Sequence, residues 1–242
     1  MSAMQAFGGE VEAVFLDVGG VFHLPDPGII GAALRRAGVE GSLEPELLDR
    51  AHYAGIHALV DWPATERGIW TAYQEAYARE VGAPPECISD VVAELDVAFR
   101  VDGIWGRQVP GSLDGLRALH ATGVALAIVS NSDGTLEERL AREGICQVGA
   151  GAGVPMSIVI DSAAVGVAKP NPAIFTIALE ACGVAPERVV HIGDAVGADV
   201  AGALAAGVRP LHLDPYGFCN DDSHAHVLDL ASVAAALVSG PD

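Results

Sequence analysis

The sequence predicts an α/β fold in which a doubly wound parallel sheet carries a smaller, inserted α-helical domain. After residue 109, short apolar runs alternate with helical patterns, as in parallel strands that are joined by helices. One further apolar run, at 11–16, precedes a long segment, 26–108, that has helical patterns and no convincing buried strand. Apolar residues make up 51% of the 242-residue chain, which is ample for a buried core.

The sheet is predicted from five short apolar runs that are rich in β-branched residues and bounded by turn residues. In chain order they are 11–16, 124–129, 157–160, 189–192 and 211–213. The helices between them are predicted to begin at Ser112, at a capping box that starts at Thr135, and at Asn171-Pro172. The α/β core domain is therefore expected to comprise residues 11–25 and 109–242.

Residues 26–108 are predicted to form the helical domain, because proline and glycine divide this segment into separate helical patterns. The predicted helices are 29–37, 45–59, 65–81 and 85–99. Six aromatic and histidine side chains occur here at helical spacing, so most of them are expected to pack in the interior. They are His52, Tyr53, His57, Trp62, Trp70 and Tyr73.

The charge and the cysteine pattern exclude several classes of function. A formal net charge of -19, with only 13 Lys and Arg, repels nucleic acid and anionic membranes, so neither is an expected partner. The four cysteines form no CxxC pair, which favours free thiols in a reducing cytoplasm over disulfides or a zinc site. We find no signal-peptide pattern and no unbroken apolar stretch of membrane-spanning length, so a cytoplasmic location is expected.

Polar side chains stand where the predicted strands end or in the loops that follow them. They are Asp17, Ser130, Asn131, Lys169, Asp194 and Asp199. Each taken alone has an ordinary explanation as a turn residue, a helix cap or a solvated lysine. Because the carboxyl ends of parallel strands share one edge of a sheet, we expect these side chains to meet there.

Together these residue types suit phosphate chemistry. Asp17, followed by two glycines in a tight turn, can serve as a nucleophile or as a metal ligand. The Ser130 hydroxyl and nearby backbone N–H groups can hold an anion, and Lys169 can neutralise one. Carboxylates at positions 17, 194 and 199 suit an oxygen-preferring cation such as Mg²⁺.

Four stretches, in this order, carry a resemblance to a known family: FLDVGGV, IVSNS, VGVAKPNPAIF and HIGDAVGADVAGALAAG. With them the chain resembles the haloacid-dehalogenase-like (HAD) hydrolase superfamily over residues 11–24 and 110–213. The resemblance implies a Rossmann-like core, a helical cap inserted after the first motif, and hydrolysis of a small phosphorylated substrate. The oligomeric state, monomer or homodimer, stays open.

The resemblance also implies roles for individual residues. Asp17 would attack phosphorus and form an aspartyl-phosphate, which water would then hydrolyse. Ser130 and the Asn131 backbone would hold the phosphoryl oxygens, and Lys169 would bridge the nucleophile and the phosphoryl group.

The same resemblance implies a Mg²⁺ site. Its ligands would be Asp17, the carbonyl oxygen of Gly19 and Asp194, with Asp199 binding the ion directly or through water. The ion would allow two anions, carboxylate and phosphate, to approach each other in an acidic protein.

One position departs from the family's phosphatase pattern, because Gly19 stands where these relatives carry a second aspartate as general acid. Four outcomes stay open. The enzyme would be a phosphatase for a substrate with a good leaving group, or His23 or Asp26 would replace the acid. Otherwise it would be a 2-haloacid dehalogenase, which needs no leaving-group proton, or a catalytically weak binding protein.

The pair His224 and His226 has the spacing of metal ligands but lies in a polar stretch without an evident third ligand. We therefore expect both histidines to be surface residues.

Overall fold

The computed structural model describes residues 9–59 and 66–239. Within them the chain forms two compact units: unit 1 comprises residues 9–22, 110–215 and 220–239, and unit 2 comprises 23–59, 66–109 and 216–219. Unit 1 is the α/β part and unit 2 the helical part. The predicted domain boundaries lie at 25/26 and 108/109, whereas the units change at 22/23 and 109/110, and a short segment after residue 215 joins unit 2.

Unit 1 contains a six-stranded sheet in which every strand pair is parallel. Its strands are β1 (Ala13–Leu16), β4 (Ala125–Ser130), β7 (Ile158–Asp161), β8 (Val189–Gly193), β9 (Arg209–Leu213) and β10 (Ala225–Val227). Their spatial order is β10-β9-β8-β1-β4-β7, so the first strand lies in the middle. The parallel sheet confirms the predicted α/β class, and the five predicted runs all contain strands.

The helices of unit 1 connect and cover these strands. They are α5 (Ser112–Ala121), α6 (Leu136–Arg142), α7 (Ser162–Val165), α8 (Ala173–Cys182), α9 (Ala201–Ala205) and α10 (Leu230–Ser239). A 3-10 turn (Pro186–Arg188) precedes β8, and a π-helical turn (Val196–Val200) follows it. Between α6 and β7 the chain forms a separate two-stranded parallel pair, β5 (Cys146–Val148) with β6 (Val154–Met156).

Alternating residues of the central strand belong to two different hydrophobic clusters, one on each face of the sheet. Val14 and Leu16 pack with residues of α5, α6 and α10, whereas Ala13 and Phe15 pack with residues of α8. All four of these strand residues are apolar, and their side chains are completely buried. Burial on both faces explains why the strand is a continuous apolar run rather than an alternating one.

Unit 2 consists mainly of four helices: α1 (Pro27–Arg36), α2 (Pro45–His57), α3 (Glu66–Glu80) and α4 (Ile88–Ala98), with a 3-10 turn (Pro85–Cys87) before the last. They agree with the four predicted helices to within a few residues at each end. The chain enters and leaves this unit through a short antiparallel pair, β2 (His23–Leu24) with β3 (Arg107–Gln108).

The interior of unit 2 is apolar and aromatic, as predicted for its helical faces. Tyr73 is fully buried, and its hydroxyl lies 2.9 Å from Nδ1 of the buried His52. Tyr53 is also buried, whereas Trp70 is 38% exposed. Trp62, named with them as a packing residue, lies outside the described residues.

A partly buried ion pair also belongs to unit 2. The Arg107 guanidinium donates to both carboxylate oxygens of Asp49, each over 2.8 Å. Residues 216–219 contribute Tyr216, whose ring centroid lies 5.6 Å from that of Tyr53, and the Arg50 guanidinium lies 5.6 Å from the Tyr216 centroid. The sequence pattern contained no sign that this segment belongs with the helices.

Two details of unit 1 differ from the sequence prediction. The capping box at Thr135 is wrong: its side chain makes no cap hydrogen bond and instead donates to Asp133 over 2.7 Å. Strand β10 was not predicted, because it is only three residues long and follows a polar loop. In the part of the chain that the structure describes, we find no helix with the length and apolarity needed to cross a membrane.

Candidate active site

The first strand delivers Asp17 to the carboxyl edge of the sheet. Its backbone N–H donates to the Ile192 carbonyl over 2.9 Å, which continues the pairing of β1 with β8 by one residue. The side chain is 12% exposed, and its Oδ1 accepts no well-aligned hydrogen bond from the described residues. Asp17 therefore sits in the middle of the strand ends with a buried carboxylate oxygen that faces the Lys169 ammonium.

The loop after β8 places Asp194 beside the turn that follows Asp17. A Cβ atom built on Gly20 would lie 1.8 Å from Asp194 Oδ2, and Gly20 has a φ of +65°. Only glycine satisfies both the contact and the backbone conformation at this position. The second glycine of FLDVGGV is thus explained by the close approach of Asp194.

Lys169 enters the same edge from the loop after β7. Its side chain is buried, and Nζ lies 2.8 Å from Asp17 Oδ1 and 2.6 Å from Asp199 Oδ1. Burial alone would lower the pKa of Lys169, but the two carboxylates raise it above its ordinary value. The lysine is therefore held charged between the two aspartates.

Asp199 lies in the π-helical turn and has all its near partners within unit 1. Besides Lys169, its Oδ1 lies 2.8 Å from His191 Nε2, and its Oδ2 accepts the Ala195 N–H over 3.0 Å. Burial would raise the pKa of Asp199, but Lys169 and the His191 hydrogen bond lower it well below its usual range. A Cβ on Gly193 would lie 2.1 Å from Asp199 Cγ, which explains the glycine before Asp194.

The carboxyl of Asp17 responds to the same surroundings in the opposite direction. Burial raises the pKa of Asp17; Lys169 opposes this shift, and the neighbouring Asp199 adds to it. The Lys169 ammonium thus contacts two carboxylates, but the pKa of Asp17 is raised whereas the pKa of Asp199 is lowered.

The predicted anion-holding residues lie at the end of β4. Ser130 is the last residue of the strand and is 3% exposed. Asn131 follows it, and its side chain makes two hydrogen bonds to the backbone of Lys169. Oδ1 accepts from the Lys169 N–H over 2.8 Å, and Nδ2 donates to the Lys169 carbonyl over 3.1 Å. The sequence did not predict this positioning contact, since it spans 38 residues and follows no periodicity.

Two residues that sequence reasoning missed support this site. Asp161, at the end of β7, accepts the N–H groups of Gly134 and Leu136 over 2.7 and 3.2 Å and so holds the loop after β4. His191 contacts Asp199 as described above. The sequence did contain a signal for His191, which is a histidine inside the otherwise apolar run VVHIG. A polar side chain that is fully buried in such a strand needs a hydrogen-bond partner.

Asp17, Asp194 and Asp199 each offer a carboxylate oxygen within 4.8 Å of the others. Three carboxylates face one ammonium, so the cluster has an excess of negative charge. Oxygen ligands in this arrangement fit a hard cation such as Mg²⁺. Both Asp199 oxygens accept protein hydrogen bonds, Oδ1 from Lys169 and Oδ2 from the Ala195 N–H.

The turn after Asp17 shows where the unusual Gly19 lies. A Cβ atom built on it would meet nothing within 4 Å, and its φ is not in the left-handed region. Of the two candidate replacement acids, Asp26 is the N-cap of α1 and accepts the N–H groups of Gly28 and Ile29 over 2.9 Å each. His23 is buried in β2.

The surface assignment of His224 and His226 is wrong. His224 is buried and His226 is half-buried in β10, because the unpredicted strand pairs His226 directly with His212 of β9. Burial lowers the pKa of His212 to about 4 and also lowers that of His224. The missing third histidine was therefore present in the sequence, 12 residues before His224, in a predicted strand.

Comparison with known families gives a match over most of the chain. Residues 11–207 match the family model described as haloacid dehalogenase-like hydrolase. The matched region includes every candidate site residue from Asp17 to Asp199.

Several curated proteins are similar in sequence. A phosphoserine phosphatase from Thermus thermophilus is 36% identical over 162 residues, which are 66% of this chain and 59% of that protein. A glyceraldehyde 3-phosphate phosphatase from Methanopyrus kandleri is 29% identical over 205 residues, which are 82% of each chain. The pyrimidine 5'-nucleotidase YjjG from Escherichia coli is 26% identical over 64% of this chain and 70% of its own length.

Solved structures share the fold. The HAD-hydrolase YfnB from Bacillus subtilis, bound to magnesium, has a TM-score of 0.58 at 17% identity, covering 95% of this chain and 99% of that one. A 2-haloacid dehalogenase from Pseudomonas syringae has a TM-score of 0.51 at 19% identity, with the same coverage. At these identities the likeness concerns the fold alone.

Proposed function

Because this chain belongs to the haloacid dehalogenase-like hydrolase family, we propose that it is a Mg²⁺-dependent phosphatase that acts on a small phosphorylated metabolite through Asp17. The observation that carries the proposal is the arrangement around Lys169. Its ammonium lies within 2.8 Å of two buried aspartates while a third carboxylate, Asp194, lies within 4.8 Å of both. Such a concentration of charge at the strand ends costs stability and is typical of a catalytic site.

In the proposed reaction the Asp17 carboxylate attacks phosphorus, the ester oxygen departs, and an aspartyl-phosphate forms. Water then attacks that phosphorus, releasing inorganic phosphate and restoring the carboxylate. Lys169 balances the charge of the nucleophile and of the phosphoryl oxygens. The Ser130 hydroxyl and the Asn131 backbone N–H hold those oxygens, while the Asn131 side chain positions the lysine loop.

Asp17, Asp194 and the Gly19 carbonyl would hold Mg²⁺, and Asp199 would act mainly by holding Lys169. When bound, the ion supplies positive charge that lets an anionic nucleophile and a phosphate ester approach each other. The assignment of Asp199 follows from its two occupied oxygens, which accept from Lys169, His191 and Ala195. The helical unit is proposed to be the cap that governs substrate choice.

The substrate class follows from the relatives and from Gly19. The similar curated proteins are named for phosphoserine, glyceraldehyde 3-phosphate and pyrimidine nucleotides, which are all small phosphate esters. An enzyme without the usual second aspartate is best suited to a leaving group that needs little protonation, such as an acyl phosphate or a sugar 1-phosphate. Since the Asp26 carboxylate caps α1, we no longer propose it as the replacement acid.

The test is a screen of phosphorylated metabolites with the purified chain, with Mg²⁺ and with EDTA. The panel includes an aryl phosphate, sugar 1-phosphates, acetyl phosphate, phosphoserine, glyceraldehyde 3-phosphate and pyrimidine nucleoside monophosphates. We expect phosphate release with Mg²⁺ that EDTA abolishes. Release of halide from a 2-haloacid without metal would instead identify a dehalogenase, and Mg²⁺ binding without any turnover would identify a binding protein.

The variant Gly19→Asp sharpens the test. The new side chain has open space around its Cβ and an ordinary backbone conformation, so the fold should accept it. If a missing general acid limits turnover of esters with poor leaving groups, the variant should raise their kcat by about 10²-fold, the low end for general acid catalysis. Turnover of acetyl phosphate should change little, and that substrate serves as the internal control.

A further inference from the structure

Three histidines cluster at the β9–β10 edge of unit 1. His212 lies on β9, His226 lies opposite it on β10, and His224 lies in the turn just before β10. His224 Nε2 is 3.2 Å from His212 Nδ1 and 3.1 Å from His226 Nε2. One nitrogen of each ring therefore points to a common centre.

The other nitrogen of His212 determines which of its ring atoms carries the proton. Nε2 lies 3.0 Å from the carbonyl oxygen of Asp194, and a carbonyl can only accept. The proton of the neutral ring is therefore on Nε2, and Nδ1 presents a lone pair to the common centre. A backbone carbonyl fixes metal-binding histidines in the same way in known metal sites.

His224 has a similar arrangement on the opposite side. Its Nδ1 lies 3.3 Å from Ser223 Oγ and 3.9 Å from Asp221 Oδ2. Metal binding through Nε2 requires the ring proton on Nδ1, where the Ser223 hydroxyl can accept it. Its Nε2 then presents a second lone pair, 3.2 Å from that of His212. Two acceptors this close repel each other unless a proton or a cation lies between them.

The spacing fits a transition metal. Two nitrogens bound to a tetrahedral ion at about 2.0–2.1 Å are roughly 3.3–3.4 Å apart, close to the separations in this cluster. Neutral imidazoles suit zinc, nickel, cobalt and copper, whereas Mg²⁺ prefers oxygen. His212 and His224 are buried and His226 is half-buried, so the cluster is largely shielded from solvent.

We propose that His212, His224 and His226 form a binding site for a late first-row transition-metal ion, with Zn²⁺ the best fit. The site is separate from the carboxylate site in its ligand chemistry. It is joined to that site by the hydrogen bond from His212 to the Asp194 backbone. The proposal does not depend on phosphatase activity.

The experiment titrates the tag-free, full-length protein with Zn²⁺ by calorimetry and by competition with a chromophoric chelator. Excess Mg²⁺ is present throughout to occupy oxygen ligands. We expect one Zn²⁺ per chain. His226→Ala should weaken binding by more than about 100-fold, the upper end of the cost of losing even an outer-shell partner.

The matched control is His120→Ala, which removes an exposed histidine from the last turn of α5 and should leave the affinity for Zn²⁺ unchanged. Circular dichroism of the metal-free variants checks that both are folded. An unchanged affinity in His226→Ala, or no Zn²⁺ binding by the wild type, overturns the proposal.

X-ray absorption spectroscopy of the zinc-loaded wild type decides the matter without a variant. The proposal requires three imidazoles at about 2.0–2.1 Å, which produce characteristic outer-shell scattering from the rings. A shell of oxygen ligands alone would place the zinc at the carboxylates and refute the histidine site.

Discussion

Each unit buries an arginine or lysine against aspartate, but the two arrangements differ in charge balance. In unit 2, the planar Arg107 guanidinium meets one carboxylate, Asp49, through two hydrogen bonds of 2.8 Å. In unit 1, the single Lys169 ammonium meets Asp17 and Asp199, with Asp194 also close. The first pair is neutral and satisfied, whereas the second cluster keeps an excess of negative charge.

This difference distinguishes a structural ion pair from a functional one. A one-to-one pair with bidentate geometry satisfies both partners and needs nothing further. A cluster with unbalanced charge costs free energy of folding, so its presence at the strand ends indicates that it binds a cation or an anionic substrate. Four experiments separate the two cases.

The largest effect is expected from Asp17→Asn in the unbalanced cluster. Without its nucleophile, the enzyme should lose about 10⁴-fold or more in kcat, in the range found when a catalytic nucleophile is removed. The free energy of unfolding should not fall, because the substitution reduces the excess negative charge. Phosphate release with Mg²⁺ and urea unfolding measure the two quantities.

Asp114→Asn is the control for Asp17→Asn, since this carboxylate lies on α5 and is 86% exposed. It should change neither kcat nor stability. Full activity in Asp17→Asn would remove the nucleophile from the proposed reaction.

Lys169→Met should have the largest effect on stability. It leaves two buried carboxylates without their cation, and breaking a buried ion pair in this way costs about 3–5 kcal/mol. Urea unfolding in EDTA measures the loss, and added Mg²⁺ should restore part of it by replacing the lost positive charge. A loss below about 1 kcal/mol would show that the ammonium is not what stabilises these carboxylates.

The same variant predicts a pH dependence. Asp199 has a lowered pKa in the wild-type fold, so its pairing stabilises the protein above the ordinary carboxyl pKa. That stabilisation is lost as the pH falls through the lowered pKa. The difference in unfolding free energy between wild type and Lys169→Met should therefore narrow as the pH falls below about 4, the ordinary carboxyl pKa.

Arg107→Met tests the balanced pair in unit 2. We expect a loss of about 3 kcal/mol, at the low end for buried pairs because 23% of the Arg107 side chain is exposed. The double variant Asp49→Leu/Arg107→Met should recover most of the loss, since it leaves no unpaired charge. Added Mg²⁺ should stabilise both variants only as much as it stabilises the wild type, and recovery of the lost stability by Mg²⁺ would contradict the comparison.

The control for Arg107→Met is Arg100→Met, which removes an exposed pair with Asp96 on α4. Exposed pairs contribute at most about 1 kcal/mol, so this variant should be close to wild type.

The smallest effect is stabilisation of the wild type by Mg²⁺. An ion that binds only the folded protein contributes about 2.7 kcal/mol when its concentration is 100 times its Kd. Thermal unfolding with and without Mg²⁺ measures this shift, and Asp194→Asn should remove it. A shift that persists in this variant would place the ion elsewhere.

Much of the site could be predicted because its members follow strands. Asp17, Ser130 and Asp194 each end or follow an apolar run, and parallel strands bring their carboxyl ends to one edge. The contacts between the loops could not be predicted in this way. Asn131 bonds the Lys169 backbone across 38 residues, and neither residue lies in a periodic pattern.

The histidine cluster illustrates the same limit. His212 and His226 face each other only because β10 pairs with β9, and that strand is too short to stand out from the polar loop before it. Because no third ligand was evident beside His224 and His226, the sequence analysis placed both histidines on the surface. The pairing register of two strands supplied the third ligand.

By itself, the sequence determined the α/β class, the position of Asp17 at the end of the first strand and the excess of carboxylates over basic groups at the strand ends. Periodicity and turn chemistry are local properties that the chain carries in its own order. Only the tertiary structure decided that Asp199 pairs with Lys169 and His191, that Asp26 caps a helix, and that three histidines converge. Those outcomes depend on the register and on distances between residues remote in sequence, which no local pattern contains.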